Sequence, residues 1–153
     1  MRKLSQVLLK EFQTLSEYHQ IVDEIYFNWI QNQNPVLILL SGPMGAGKTE
    51  FVKKISGHMG FQEVSSPTFA IHQSYRSSHH QMEHVDLYRL ESEDEVESSG
   101  FWDLFSEAEG MIVVEWPERV ALEHFPMNWH LIHIKIELIE SESIQSRRIQ
   151  VLK

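Results

Sequence analysis

Hydrophobic positions along the chain change period several times, and each change marks an element. From Tyr18 onward, Ile21, Ile25, Tyr26, Trp29 and Ile30 recur at helical spacing, which predicts a helix over about 16–31. Thr14 and Glu17 stand before it at the spacing of a capping box, in which a hydroxyl and a carboxylate each accept a backbone N–H of the helix start. Asn32-Gln33-Asn34-Pro35 ends the pattern. Val36-Leu37-Ile38-Leu39-Leu40 is then an unbroken apolar run of strand length, as expected of a strand buried on both faces of a sheet. After Gly47 helical spacing returns as far as about His58, with Gly57 and Gly60 bracketing its end.

Residues 68–76 and 81–88 predict two strands joined by the polar tip Ser77-Ser78-His79-His80, a hairpin. Ser92 and Glu95 form a second capping-box pattern, opening a short acidic helix that Gly100 closes, and a further short helix is expected over 101–107. Met111-Ile112-Val113-Val114 is another buried strand and ends at Glu115. In the tail Ile132, Ile134, Ile136 and Leu138 alternate with His133, Lys135 and Glu137, and with residues 148–152 they predict a closing hairpin. Apolar strands alternating with helices predict a three-layer α/β fold, with a mostly parallel central sheet and added antiparallel hairpins. No repeat, low-complexity tract or linker interrupts the 153 residues, so residues 1–153 read as a single domain long enough to bury its own core.

Composition narrows the function classes. Thirteen Lys plus Arg against 22 Asp plus Glu leave a formal charge of −9, which repels a phosphodiester backbone, so any link to nucleic acid is expected to be indirect. With no cysteine there is neither a disulfide framework nor a thiolate metal site, and a reducing compartment, the cytoplasm, is the expected location. The first residues, MRKLSQVLLKEFQTL, do not read as a signal peptide, because Lys10 and Glu11 cut the apolar run short after Leu9. No window approaches the roughly 18 apolar residues of a membrane helix, and no membrane association is expected.

The chemistry concentrates in GPMGAGKTEF, residues 42–51. Gly42, Gly47, Lys48 and Thr49 satisfy the G-x-x-x-x-G-K-[ST] pattern, with an extra glycine at 45, a buried strand before it and a helix after it. Glycines let successive N–H groups turn inward as an anion nest at a helix N-terminus. In such a loop the lysine reaches the β- and γ-phosphates and the threonine hydroxyl ligates Mg2+. A glycine-rich turn that merely caps a helix needs neither Lys48 nor Thr49 in that register. Phosphate-loop enzymes also carry a carboxylate at the end of a neighbouring strand, the place of Glu115 after MIVV. Asp86, in HVDLYR, is a second candidate acid, and Ser65-Ser66-Pro67-Thr68 resembles a switch segment whose threonine senses the γ-phosphate.

Taken in order, GPMGAGKTEF, SSPTF, HVDLYRL and VVEWPERV resemble the bacterial TsaE (YjeE) family over about residues 36–120. The resemblance implies a small P-loop ATPase serving N6-threonylcarbamoyladenosine (t6A) synthesis at adenosine 37 of tRNA. It implies ATP and Mg2+ as cofactors, TsaD-type and TsaB-type transferase proteins as partners, and contact with tRNA only through them. Carried over by motif, Gly42, Gly45, Ala46, Gly47, Lys48, Thr49, Glu50 and Thr68 bind nucleotide, with Trp116 beside nucleotide or partner or else anchoring the Pro117 turn. Thr49 and Glu115 are the implied metal site, and Lys48, Asp86 and Glu115 the catalytic set, the division of labour between the two acids staying open. Pro43-Met44 depart from the family's usual Asp-Leu at positions that contribute mainly loop backbone.

Two other readings compete. A small-molecule or nucleotide kinase of the same class would close an arginine-bearing lid, but the six arginines, at 2, 76, 89, 119, 147 and 148, form no such cluster. A non-hydrolysing ATP-sensing scaffold would bind nucleotide without releasing phosphate. A GTPase would carry an Asn-Lys-x-Asp stretch, which is missing. Arg76, Arg89 and Arg119 are the candidate arginine fingers in cis; with none obvious, turnover of the isolated chain is expected to be slow. His79 and His80 are adjacent on an extended tip and point to opposite faces, which does not favour a shared metal site. The acidic run Glu91–Glu97 reads as the solvated face of a short helix, with docking to a basic partner as its alternative.

Overall fold

The computed structural model describes residues 2–67 and 70–153. In chain order its elements are β1 (Gln6–Phe12), α1 (Leu15–Ile25), a π-helical turn (Tyr26–Ile30), β2 (Val36–Ser41), α2 (Lys48–His58), β3 (His72–Arg76) and β4 (Gln81–Asp86). There follow α3 (Glu93–Ser98), α4 (Leu104–Glu107), β5 (Met111–Glu115), β6 (His130–Glu140) and β7 (Gln145–Leu152). All seven strands form one sheet in the order β1-β7-β6-β2-β5-β4-β3. Its centre is parallel, β2 pairing with β5 and β6 and β4 with β5, while β1, β7 and β3 add antiparallel flanks.

The apolar run of β2 occupies the middle and is buried from Val36 to Leu40. Its odd and even positions serve different layers, as the two-residue period of a strand requires. Ile38 and Leu40 join Val113, Ile134 and Ile136 beneath α1 and α2, against Val22, Ile25, Phe51 and Ile55. Leu37 and Leu39 join Ile112, Val114 and Val85 on the other face, under Val96, Phe101, Phe125 and Trp129. The three-layer expectation holds, with the parallel character confined to the four central strands.

Local signals place the helices. Thr14 accepts from the Glu17 amide at 3.1 Å while the Glu17 carboxylate accepts from Thr14 N–H at 3.1 Å, a complete capping box. The helix expected to run unbroken to about residue 31 widens instead into the π turn, where Gln31 N–H reaches back to the Tyr26 carbonyl. Ser92 caps α3 through the Glu95 amide, but the Glu95 carboxylate accepts from Glu91 rather than from the cap, so this second box is half formed. The short helix expected over 101–107 is a 3-10 turn, Phe101–Asp103, leading into α4. No helix among the described residues is long and apolar enough to cross a membrane.

One element escapes the sequence pattern. β1 lies at the sheet edge against β7, and only Leu8 and Phe12 of its seven residues are buried, an interval of four that does not alternate as a strand should. The β6–β7 hairpin does follow the predicted alternation, with Ile132, Ile134 and Ile136 inward. His133, on the opposite face, has its Nε2 2.7 Å from Ser41 Oγ. Burial, with Lys135 nearby, pushes this imidazole from 6.5 down to about 4.

Two outcomes are expected. Thr14→Ala removes one half of the capping box and should lower the unfolding free energy by about 1 kcal/mol in urea titration. Since the unfolded chain takes up the His133 proton near 6.5 and the folded chain only near 4, stability should be complete above pH 6.5 and fall as pH drops toward 4. His133→Gln, which keeps an amide for Ser41, should flatten that part of the stability–pH curve.

Candidate functional site

The chain leaves β2 at Ser41 and must reach the start of α2 at Lys48 in a short turn. Gly42 makes this turn against β6: a Cβ there would lie 2.6 Å from the Ile136 carbonyl oxygen. Gly47, at φ +116°, is the N-cap of α2, and a Cβ on it would sit 3.2 Å from the Tyr18 ring. Ala46 is buried, its N–H donating to the Pro43 carbonyl at 3.1 Å. The loop thus wraps the N-terminus of α2, where backbone N–H groups and the helix dipole favour an anion.

Elements far away in sequence brace this loop. Tyr18, 2% exposed and stacked on Phe12 at 4.5 Å, donates its hydroxyl to the Gly47 carbonyl at 2.7 Å. Arg147, from β7, donates to the Gly45 carbonyl at 3.3 Å. Neither residue stands out in the sequence, since nothing local to Tyr18 or Arg147 shows that β1, α1 and β7 close over the loop. Arg147 Nε is buried without a partner, and this guanidinium, Tyr18, Thr14 and Glu50 border a cavity of about 270 Å3 beside the loop.

On the other side lies a cleft of about 390 Å3 at the carboxyl ends of the central strands, bounded by the loop, Thr49, Asp86, Tyr88, Glu115 and Trp116. The parallel register sets Asp86 beside Glu115 and Glu115 beside Leu40, so both expected acids end their strands at the level of the loop. Burial pushes the Asp86 carboxyl up, against a hydrogen bond from Tyr88 N–H; the charge and hydrogen bond of Glu115 add to the rise. Lys48 is buried, and the loss of water pulls its ammonium down, with the carboxylates of Glu115, Asp86 and Glu118 pulling the other way. Its Nζ donates to the Gly42 carbonyl and lies 3.9 Å from the centre of the Trp116 ring, a cation–π contact.

Trp116 itself is held at φ 57°, the left-handed region, with its N–H on the Leu40 carbonyl at 3.2 Å. Strain of this kind in a bulky residue collects at functional sites. The ring also packs against Tyr88, 5.0 Å between centroids, so Trp116 forms a wall of the cleft. Arg119, one of the candidate fingers, donates to the Tyr88 carbonyl at 3.0 Å and braces that wall.

Thr49 Oγ1 shares a hydrogen bond of 2.8 Å with Ser66 Oγ, tying the switch-like segment to α2. Tyr75 holds the same segment through the backbone of Ser65. Thr68 lies outside the described residues. Glu50 turns its carboxylate to His19 at 2.8 Å and borders both cavities. The oxygen donors Thr49, Glu115 and Asp86 are the hard type that Mg2+ takes, and Glu115 Oε1 is buried with no hydrogen-bond partner, so these residues fit such an ion. A larger cavity, about 470 Å3, opens at the amino ends of the strands near Tyr26, Asn34, His80 and Glu109, but no comparable chemistry converges on it.

The model of the family described as "Threonylcarbamoyl adenosine biosynthesis protein TsaE" matches residues 11–149. The chain is 36% identical over 90 residues to the tRNA threonylcarbamoyladenosine biosynthesis protein TsaE of Borreliella burgdorferi, covering 59% of this chain and 65% of that one. It is 30% identical over 120 residues to the protein of the same name from Haemophilus influenzae, covering 78% and 74%. It spans less than two thirds of the length of the first curated relatives it matches. Among solved structures, YdiB of Bacillus subtilis has the same fold, with a TM-score of 0.71 at 20% identity over 99% of this chain and 88% of that one. With the family model spanning nearly all of its elements and the phosphate loop, switch-like segment and paired acids gathered in one cleft, the chain belongs to the TsaE family.

Proposed function

We propose that the chain is an ATP-hydrolysing accessory subunit of t6A synthesis on tRNA, working with TsaD-type and TsaB-type transferase proteins and reaching tRNA only through them. The observation that carries this reading is the convergence of an amide nest, Lys48, Thr49 and two carboxylates at one end of the sheet. The acids mark the γ-phosphate end of the nucleotide. Its base and ribose then leave across Gly47 toward Tyr18 and Arg147, where the second cavity lies.

In this arrangement the nest and Lys48 bind the phosphate chain, and Trp116 and Tyr88 shield it from water. Thr49 and Glu115 would hold Mg2+, which when bound supplies positive charge to the β- and γ-phosphate oxygens. Asp86, at the mouth of the cleft, orients the attacking water. Arg119 is committed to the rim through the Tyr88 carbonyl, and the isolated subunit turns over slowly. The partner proteins complete the site, and the acidic first turn of α3, Glu93-Asp94-Glu95, offers them charge to dock against.

Phosphate release from ATP, measured for the purified chain alone and with the transferase proteins, tests this function. Partners should raise turnover, and Lys48→Ala or Glu115→Ala should lower it by about 100-fold or more, the scale on which preorganised transition-state contacts act. ATP binding with no phosphate release, even alongside the partners, would favour the sensing scaffold instead. The proposed path of the base has its own test. Arg147→Ala should weaken ATP binding by about tenfold in calorimetry, or ~1.4 kcal/mol, with little effect on the rate at saturating ATP.

A further inference from the structure

Beneath the cleft lies a polar pair that the packing does not explain. His84 is wholly buried on β4, and neither of its ring nitrogens has a hydrogen-bond partner. Glu115 Oε1, on the adjoining strand, is buried and equally unpaired. Nε2 and Oε1 stand 3.7 Å apart, a little beyond hydrogen-bond distance. Alternation along β4 puts His84 on the same face as Asp86, and the register with β5 sets it beside Val113, one pleat below Glu115. Met82 and Val113 show that apolar side chains suit this layer. An imidazole with two idle nitrogens is costly there, and a buried polar group left unsatisfied calls for an explanation.

We propose that His84 is a positioning residue for Glu115: its Nε2–H donates to Oε1 and thereby keeps Oε2 directed into the cleft. Neutral imidazole has one N–H to give, and the nitrogen nearest the carboxylate is Nε2, which leaves Nδ1 as the bare acceptor. The neighbouring acid, Asp86, accepts from Tyr88 N–H at 2.9 Å through Oδ1. A carboxylate that ligates a metal through one oxygen is commonly fixed by a hydrogen bond to the other, and loss of that donor lowers metal affinity about 10–100-fold. The proposal rests on Glu115 being the Mg2+-associated acid.

The test titrates Mn2+ by electron paramagnetic resonance into the whole chain with a non-hydrolysable ATP analogue, beside thermal unfolding of the same variants. His84→Leu should weaken Mn2+ binding by about 10–100-fold and yet leave the melting temperature little changed, since the idle Nδ1 is removed while Glu115 Oε1 loses its donor. His84→Gln, whose amide can donate to Oε1, should retain near wild-type Mn2+ binding. A purely structural histidine would show the reverse, a lower melting temperature and unaltered Mn2+ affinity in the folded fraction. If His84→Leu does not fold, His84→Met, which also lacks a donor, is judged by the same criterion. Glu115→Gln separates the two levels of the argument. Weakened Mn2+ binding in Glu115→Gln but not in His84→Leu overturns the role of His84 alone, whereas unchanged binding in both overturns the metal assignment of Glu115 and the proposal with it.

Discussion

Burial of β2 on both faces is the constraint from which the rest of the architecture follows. No residue from Val36 to Leu40 is more than 2% exposed. A strand so placed needs a layer of side chains above and below it, and its backbone must be satisfied on both edges, which β5 and β6 do in parallel register. Only its carboxyl end is free to act. Parallel neighbours end at that same level, so the geometry that satisfies the strand also delivers Glu115 and Asp86 to the mouth of the loop.

The site is electrostatically unusual for a chain of net charge −9. Its positive potential comes from oriented amides, the start of α2, Lys48 and Arg147 rather than from a basic surface. Opposite them stand two acids close enough that Glu115 raises the Asp86 carboxyl. Such a cleft brings both signs of charge together at one end of the sheet. The Lys48–Trp116 contact and the left-handed backbone of Trp116 link the wall of the cleft to the same charge balance.

Legibility followed the range of the physical signal. The apolar run 36–40, the capping pair Thr14 and Glu17, the glycine loop and the alternation over 132–136 are encoded within a few residues, and each forms the expected element. The helix beyond Ile25 looked continuous because a π turn preserves the apolar positions while shifting the hydrogen bonds. β1 was hidden because an edge strand buries few residues, here Leu8 and Phe12, while Val7 and Leu9 stay exposed. Arg147 and Tyr18 were hidden in another way, their function lying in contacts with Gly45 and Gly47, 102 and 29 residues away.

By itself the sequence determined that the chain has a two-sided buried strand feeding a glycine loop, two acids placed at strand ends, and a net charge of −9. Those properties depend on residue type, period and local spacing. Tertiary structure alone decided that the acids share one cleft, that Trp116 forms its wall over Lys48, that β1 and β7 close the far side, and that His84 lies beneath Glu115. Strand order and register set those neighbours, and they arise from pairing between segments remote along the chain, which no local pattern of hydrophobic and polar residues specifies.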